Sequence, residues 1–153
     1  MNEQELNAYR ARFAQEFGEP HVRRVVKEGL FKNAERTGDR SAYGGISWID
    51  YWRAMTGNHA TTLHCSSCGK EIIIGTPTVF QQIEYGYNGE TEEDHRAYGG
   101  HIWLTAPAGA DWQGGRFITP LCPACNAKRG EQIPLKEESI LCKELGANEN
   151  GYS

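Results

Sequence analysis

No run of apolar residues in this chain approaches the roughly 20 that a membrane-spanning helix needs. The first five residues, MNEQE, are acidic and no apolar segment follows them, so the pattern of a secretory signal is also absent. We therefore expect a cytoplasmic protein without a membrane partner. Thiols stay reduced in that compartment, which makes metal binding a more natural use of the five cysteines than disulfide bonds.

Positive charge is scarce in the second part of the chain. Residues 61–153 hold seven lysines and arginines against twelve acidic residues, whereas residues 1–60 hold nine against eight. Proteins that bind nucleic acid usually present a basic surface to the phosphate backbone. We therefore expect a protein partner and keep nucleic acid as the less favoured alternative.

Residues 1–60 predict a helical region. Apolar residues recur every three or four positions from Glu3 to Phe17, which is the spacing of one helix face. A glycine and a proline end that helix, and a second is predicted from His21 to about Arg36. A polar, glycine-rich loop follows over residues 37–45. A third helix is predicted from Ser47 to Met55, and its apolar stripe for core packing is Trp48, Ile49, Trp52 and Met55.

From residue 61 the pattern changes to short strands and turns. The predicted strands cover residues 61–64, 71–74, 78–85, 101–105 and 116–119. Residues 106–115 predict a loop. The neighbours of Cys142 predict a late helix, in which its thiol would be a small buried side chain.

Two cysteine pairs give the strongest signal in the sequence. They read Cys65-Ser66-Ser67-Cys68 and Cys122-Pro123-Ala124-Cys125. Each pair places two thiols one tight turn apart, and together they supply the four soft ligands of a closed tetrahedral Zn²⁺ site. Such a site stabilises a fold but leaves no coordination position for a substrate. The sequence therefore predicts a structural zinc ion bound by Cys65, Cys68, Cys122 and Cys125.

The surroundings of the two pairs predict the fold. The first pair is predicted on a hairpin turn, and the second opens a short helix that carries Cys125 on its first turn, which together make the treble-clef arrangement. The 53 residues between the pairs leave room for a strand-rich insertion. The predicted class is α+β: a helical region, residues 1–60, packs on a zinc treble-clef domain, residues 61–153. We expect the two parts to form one cooperative unit.

Four segments of the chain, taken in order, resemble the HNH endonuclease superfamily. They are residues 65–70, the pair His101-Ile102, the pair Gly114-Gly115 and residues 121–130. The last segment is the most specific, and the 21-residue step from His101 to Cys122 suits the family. The resemblance covers about residues 63–131 and implies an HNH-like treble clef.

The resemblance implies roles for single residues. His101 would activate water as general base, and Asn126 would hold a catalytic Mg²⁺ or Mn²⁺ ion. The family carries an acidic cation ligand directly before this histidine and an orienting asparagine near position 117, where this chain has Gly100 and Phe117. The chain is thus similar to a degenerate HNH protein. It also looks similar to small bacterial proteins that have a Gly-Gly-His-Ile strand and a Pro-Leu-Cys-x-x-Cys-Asn knuckle but no evident nuclease centre.

An acidic loop, Glu92 to Asp94, shortly precedes His101 in the sequence. If this loop folded over the His101 strand, one of its carboxylates could replace the missing cation ligand. If it did not, it would be an ordinary solvated loop.

Three functions are compatible with these residues. The preferred one is a zinc-binding, non-catalytic binding or regulatory protein with a protein partner, because two of the four functional groups of an HNH nuclease are missing. The second is a divergent metal-dependent nuclease that uses His101 as base and Asn126 as cation ligand. The third is a non-catalytic zinc finger that binds nucleic acid through Arg116, Lys128 and Arg129.

Overall fold

The structure, a computed structural model, describes residues 1–34, 41–108 and 115–145 of the chain. Within these residues the fold is mixed α+β, with four α-helices, a six-stranded antiparallel sheet and a two-stranded hairpin. The helices are α1 (Glu3–Phe17), α2 (Trp48–Thr56), α3 (Val79–Tyr87) and α4 (Pro123–Ala127). None of the described helices is long and apolar enough to cross a membrane.

Strands from both ends of the described chain are interleaved in the large sheet. Its members are β1 (Val22–Arg24), β2 (Gly29–Asn33), β5 (Tyr98–Ala106), β6 (Arg116–Leu121), β7 (Ile133–Leu135) and β8 (Ile140–Lys143). Their order across the sheet is β1-β8-β6-β5-β2-β7. The separate hairpin consists of β3 (Thr62–His64) and β4 (Glu71–Ile73). Residues 1–60 therefore contribute two strands to the sheet as well as two helices.

The predicted helix from His21 to about Arg36 is wrong over the described residues, because this segment forms β1 and β2. Burial in β2 alternates with a period of two: Phe31 and Asn33 are buried, whereas Leu30 and Lys32 are exposed. A period of two is the signature of a strand with one buried face. The apolar residues of two separate strands, β1 and β2, together have a spacing that resembles one helix face. Residues 35 and 36 lie outside the described residues.

The predicted strand over residues 78–85 is also wrong, because Thr78 is the N-cap of α3 and residues 79–85 lie in that helix. The Thr78 side chain accepts from the Gln81 amide at 3.1 Å, and the Gln81 side chain accepts from the Thr78 amide at 2.8 Å. This capping box satisfies two amides that a helix start leaves unpaired, and it outweighs the strand propensity of the residues that follow. Cys142, predicted in a late helix, lies in β8, opposite Val22 and Ile118.

The other predicted elements agree with the structure where it describes them. The first helix has the predicted bounds, and the strands predicted at 61–64, 71–74, 101–105 and 116–119 correspond to β3, β4, β5 and β6. The loop predicted over 37–45 contains a short 3₁₀ helix, Tyr43–Gly45, and its residues 37–40 lie outside the described part. Most of the loop predicted over 106–115, Gly114 included, lies outside it too, as do residues 146–153.

Helix α2 joins the N-terminal region to the sheet. Its predicted apolar stripe is buried, as expected for core packing. The Trp52 indole N–H donates to the Ile140 carbonyl at 3.0 Å, and the Tyr51 hydroxyl donates to the Lys143 carbonyl at 2.6 Å. Two large aromatic side chains therefore add specific hydrogen bonds to the apolar area that α2 buries against β8.

The backbone of α2 approaches the sheet most closely at Gly99 in β5. A Cβ atom at this position would lie 2.4 Å from the carbonyl carbon of Trp48 and 2.5 Å from the amide nitrogen of Ile49. Because these are backbone atoms, the clash could be relieved only by moving the helix. Gly99 therefore sets how closely α2 can pack on β5.

We predict that Gly99→Ala lowers the free energy of unfolding by about 3 kcal/mol, because overpacking against backbone forces α2 away from the sheet. The matched control is Gly86→Ala in α3, where the added methyl group would meet nothing within 4 Å. That control should be neutral or stabilising, because alanine is the better helix former. Urea unfolding followed by circular dichroism measures both values. Equal stabilities of the two variants would contradict the prediction.

Candidate metal centre

The first cysteine pair lies at the tip of the β3–β4 hairpin. The Cys65 amide donates to the Lys70 carbonyl at 2.9 Å, and the Gly69 amide donates to the Cys65 carbonyl at 3.0 Å. Gly69 has a φ of +79°, in the left-handed region that glycine adopts without strain. The resulting tight turn presents the thiols of Cys65 and Cys68 together at the end of the hairpin.

The second pair opens α4, as the sequence predicted. Cys122 is the N-cap residue, and its Sγ accepts a hydrogen bond from the Cys125 amide at 3.4 Å. Pro123 occupies the first helical position, where its missing N–H costs nothing. Cys125 is therefore on the first turn of the helix, on the same side as Cys122.

Two contacts made by Ser66 bring the pairs together. Its amide donates to the Pro120 carbonyl at 2.9 Å, and its hydroxyl lies 2.5 Å from the hydroxyl of Thr119. Both side chains are buried. Because Thr119 and Pro120 lie near the end of β6, shortly before Cys122, these bonds attach the hairpin tip to the start of α4.

The four sulfur atoms of Cys65, Cys68, Cys122 and Cys125 all lie within 4.8 Å of one another, so this cluster could hold a metal ion. The sulfur atoms of Cys68 and Cys122 lie 3.6 Å apart. Three of the four cysteines are buried and Cys68 lies at the surface. The fifth cysteine, Cys142, is buried in β8 and is not a member of the cluster.

The protonation of the cluster depends on burial and on the mutual repulsion of thiolates. Burial raises the pKa of the Cys122 thiol, and burial together with the neighbouring Cys65 charge raises the pKa of Cys125. At Cys68 burial acts in the same direction, but hydrogen bonds from the Lys70 backbone and from the other thiols outweigh it and lower the pKa. A bound cation would remove the repulsion, so metal binding must displace protons from the cluster.

A cavity of about 560 Å³ opens beside α4. Its walls come from the first turn of α2, from β5 and from the end of α4. His101 and Asn126, the two residues predicted to be catalytic, both line it. A volume of this size could accommodate a small ligand. The structure thus brings the two residues to one place, while their catalytic roles stay predictions.

His101 is held by a buried carboxylate that the sequence analysis did not single out. Its Nδ1 atom hydrogen-bonds to Glu144, and Glu144 Oε2 lies 3.1 Å from Nη2 of Arg116. The Trp48 ring packs edge-on against the imidazole, with ring centroids 4.7 Å apart. An ionised carboxylate only accepts hydrogen bonds, so Nδ1 carries the proton.

The two positions that depart from the HNH pattern are filled by packing. A Cβ atom at Gly100 would lie 2.4 Å from Cδ1 of Leu121 and 3.2 Å from Oδ1 of Asn126, so an acidic side chain cannot be accommodated there without moving both neighbours. Phe117 is buried in β6 opposite Ile102. The side chain that hydrogen-bonds to the imidazole comes from Glu144.

Asn126 is positioned by a residue from the other end of the chain. The side chain of Asn33, at the end of β2, donates to the carbonyls of Cys125 at 2.9 Å and Lys128 at 2.8 Å. The Cys125 carbonyl also accepts from the Lys128 amide, and the Lys128 carbonyl also accepts from Arg129, so Asn33 reinforces the end of α4. Asn33 also lines the cavity. No local pattern around Asn33 pointed to this role, because it depends on β2 lying beside β5.

Two carboxylates of the acidic loop, Glu93 and Asp94, bind neighbouring groups. Glu93 accepts from the Tyr98 hydroxyl at 2.9 Å and pairs with Arg96 at 3.2 Å. Asp94 accepts from the amide of Thr91, within its own loop, at 2.8 Å. Neither residue, nor Glu92, is among the described residues that line the cavity. That the loop supplies a cation ligand remains an untested prediction.

The three cations proposed to contact nucleic acid do not form one surface. Arg116 is largely buried, pairs with Glu144, and its guanidinium carbon lies 5.4 Å from the centre of the Trp103 ring. Arg129 donates to the carbonyls of Asn126 and Lys128 at the end of α4. Only Lys128 and Arg129 are thus exposed to solvent.

We predict that the metal affinity of the cluster falls as the pH is lowered from about 8 to about 6, because Cys122 and Cys125 are protonated when no metal is bound. For each proton that the metal displaces, the affinity should fall about tenfold per pH unit. Competition with a chromophoric chelator, using Zn²⁺ or Co²⁺, measures the slope. Cys142→Ala is the matched control: burial also raises the pKa of that thiol, but it lies outside the cluster and should leave the slope unchanged. An affinity that does not depend on pH would contradict the prediction.

No family model, curated protein or solved structure matches this chain.

Proposed function

We propose that the four cysteines hold a structural Zn²⁺ ion in an HNH-like treble clef, and that the protein acts in the cytoplasm by binding a protein partner rather than by catalysis. The observation that carries the proposal is the four-sulfur cluster at the junction of the hairpin tip and α4. Its ligands come from the two elements that define a treble clef, a knuckle turn and a helix start.

The spacing of the cluster suits zinc. With Zn–S bonds of about 2.3 Å, the sulfur atoms of a tetrahedral site lie about 3.8 Å apart. The Cys68–Cys122 distance of 3.6 Å is close to that value, and all six distances are within 4.8 Å. Four soft sulfur ligands favour zinc over the hard cations magnesium and calcium. They also complete its coordination, which supports a structural role.

The residues around the cavity support a non-catalytic role. Magnesium and manganese ions prefer oxygen ligands, and carboxylates above all. The described residues that line the cavity with His101 and Asn126 include no aspartate or glutamate.

Support for binding comes from the surface: of the nine exposed large apolar residues in the described chain, four lie on α3.

We predict that purified protein contains one zinc ion per chain, and that Cys122→Ser loses the metal together with much of its stability, because one of four ligands is removed from the junction of hairpin and helix. Elemental analysis and thermal unfolding, each with and without a chelator, measure the two effects. Cys142→Ser is the matched control and should keep its zinc. A protein prepared in reducing buffer that binds no zinc would refute the proposed site.

A second candidate is a divergent metal-dependent nuclease. The observation that favours it is the geometry around the cavity, in which Glu144 hydrogen-bonds to His101 and Asn126 lines the same cavity. An imidazole whose Nδ1 is held by a carboxylate is suited to act as a general base through Nε2. This reading still needs a cation ligand that the described part of the cavity does not supply.

We predict that neither Mg²⁺ nor Mn²⁺ supports His101-dependent cleavage of single- or double-stranded DNA, because a cation bound by Asn126 lacks the carboxylate that would fix it beside a phosphate. The assay compares the unaltered protein with His101→Ala, with Glu144→Gln and with His21→Ala, a change at an exposed histidine that does not line the cavity. Cleavage that survives in His21→Ala but is lost in the other two variants would establish the nuclease and overturn the non-catalytic proposal.

A further inference from the structure

Helix α3 carries four large apolar side chains on its outer side. Val79, Phe80, Ile83 and Tyr87 are all exposed, with Phe80 at 85% and Tyr87 at 91% of full exposure. At 3.6 residues per turn these four positions fall within an arc of about 100°, so they form one continuous stripe along the helix. We call this stripe the α3 face. Apolar side chains clustered on a surface in this way mark an interaction site.

The opposite side of α3 is fixed to the protein. Tyr85 stacks on the ring of His95 with centroids 3.7 Å apart and an angle of 5° between the planes, and its hydroxyl donates to Glu71 at 3.2 Å. The side-chain amide of Gln81 donates to the hydroxyl of Thr62 in β3 at 3.1 Å. The orientation of the helix is therefore determined by specific contacts, and these contacts point the α3 face outward.

The segment that contains α3 is acidic. Residues 71–95 hold six aspartates and glutamates and no lysine or arginine. The cations just outside this segment are already engaged, since Lys70 pairs with Glu90 at 2.8 Å and Arg96 pairs with Glu93 at 3.2 Å. Glu84 is exposed on α3 itself, next to the apolar stripe. Glu84 thus gives the α3 face an acidic border.

We propose that the α3 face binds an amphipathic helix of a protein partner whose polar border is basic. This proposal rests on the proposed function and specifies the kind of partner that the protein binds. A single exposed helix offers ridges of side chains that pack into the grooves of another helix, with apolar anchors on one turn after another. Basic residues beside those anchors would meet the acidic border, which favours this partner over others with the same apolar face.

The same charges argue against two other occupants. A second copy of the chain, packed through the same face, would place the Glu84 side chains of both copies near one another, which costs free energy in a symmetric contact. An anionic membrane surface would be repelled by the same border, whereas interfacial helices usually carry lysine and arginine on their polar face.

The test uses two labelled helical peptides that share an apolar face of leucines. One has lysines along its polar border and the other has glutamates, and fluorescence anisotropy measures the binding of each. We expect the lysine peptide to bind at least about tenfold more tightly than the glutamate peptide at low salt, with the difference reduced as salt is added.

Variants show whether the α3 face is the site. The double change Phe80→Ser with Tyr87→Ser should weaken binding of the lysine peptide at least about tenfold, because anchor residues in the centre of an interface dominate its affinity. Val26→Ser is the matched control, an exposed apolar residue outside α3, and should stay within about twofold of the unaltered protein. Glu84→Lys should reduce the preference for the lysine peptide.

The possible outcomes separate this inference from the proposed function. Equal binding of both peptides, or binding that the double change does not weaken, would overturn it. So would a dimer detected by light scattering, or binding to phosphatidylcholine vesicles, if either were abolished by the double change. Zinc content is measured on the same samples. Folded protein with zinc but without peptide binding refutes only the partner, whereas absence of zinc refutes the proposed function.

Discussion

The bond between the tip of the β3–β4 hairpin and the end of β6 determines where the other sites of this protein lie. Through Ser66 it brings two cysteine pairs together that are far apart in the sequence. Helix α4 starts from this junction and carries Asn126 to the wall of the cavity. The two strands of the same hairpin hold α3 through Thr62 and Glu71. The candidate metal centre, the cavity and the α3 face are thus connected through one small β-hairpin.

The large sheet brings His101, which lines the cavity, together with Glu144 and Arg116. Burying charged groups costs free energy, which their mutual attraction only partly offsets. Pairing of β6 with β8 places the carboxylate and the guanidinium side by side, and the imidazole comes from the neighbouring strand β5. A buried group of this kind contributes little net stability, so its main effect is to fix the direction in which the imidazole points.

Local patterns in the sequence were reliable where the structure is locally determined. The cysteine spacing predicted which residues cluster, because a tight turn or a helix start brings each pair together by itself. The stripes of α1 and α2 predicted their buried faces for the same reason. The helix predicted over the segments of β1 and β2 was wrong, because a short strand is recognisable only once its partner strands are known. Glu144 and Asn33 could not be found, because sheet register brings them to the cavity from distant parts of the chain.

The interleaved strand order has a consequence for how the protein is made on the ribosome. β1 pairs with β8, and β2 lies between β5 and β7, so both early strands need partners that are synthesised on the order of a hundred residues later. At typical rates of translation that delay is on the order of 10 seconds. During this time α1 and α2 can form from local contacts, but the sheet cannot. The newly made strands β1 and β2 therefore have unpaired edges until β5, β7 and β8 have been synthesised, which is the period in which a chaperone would protect them.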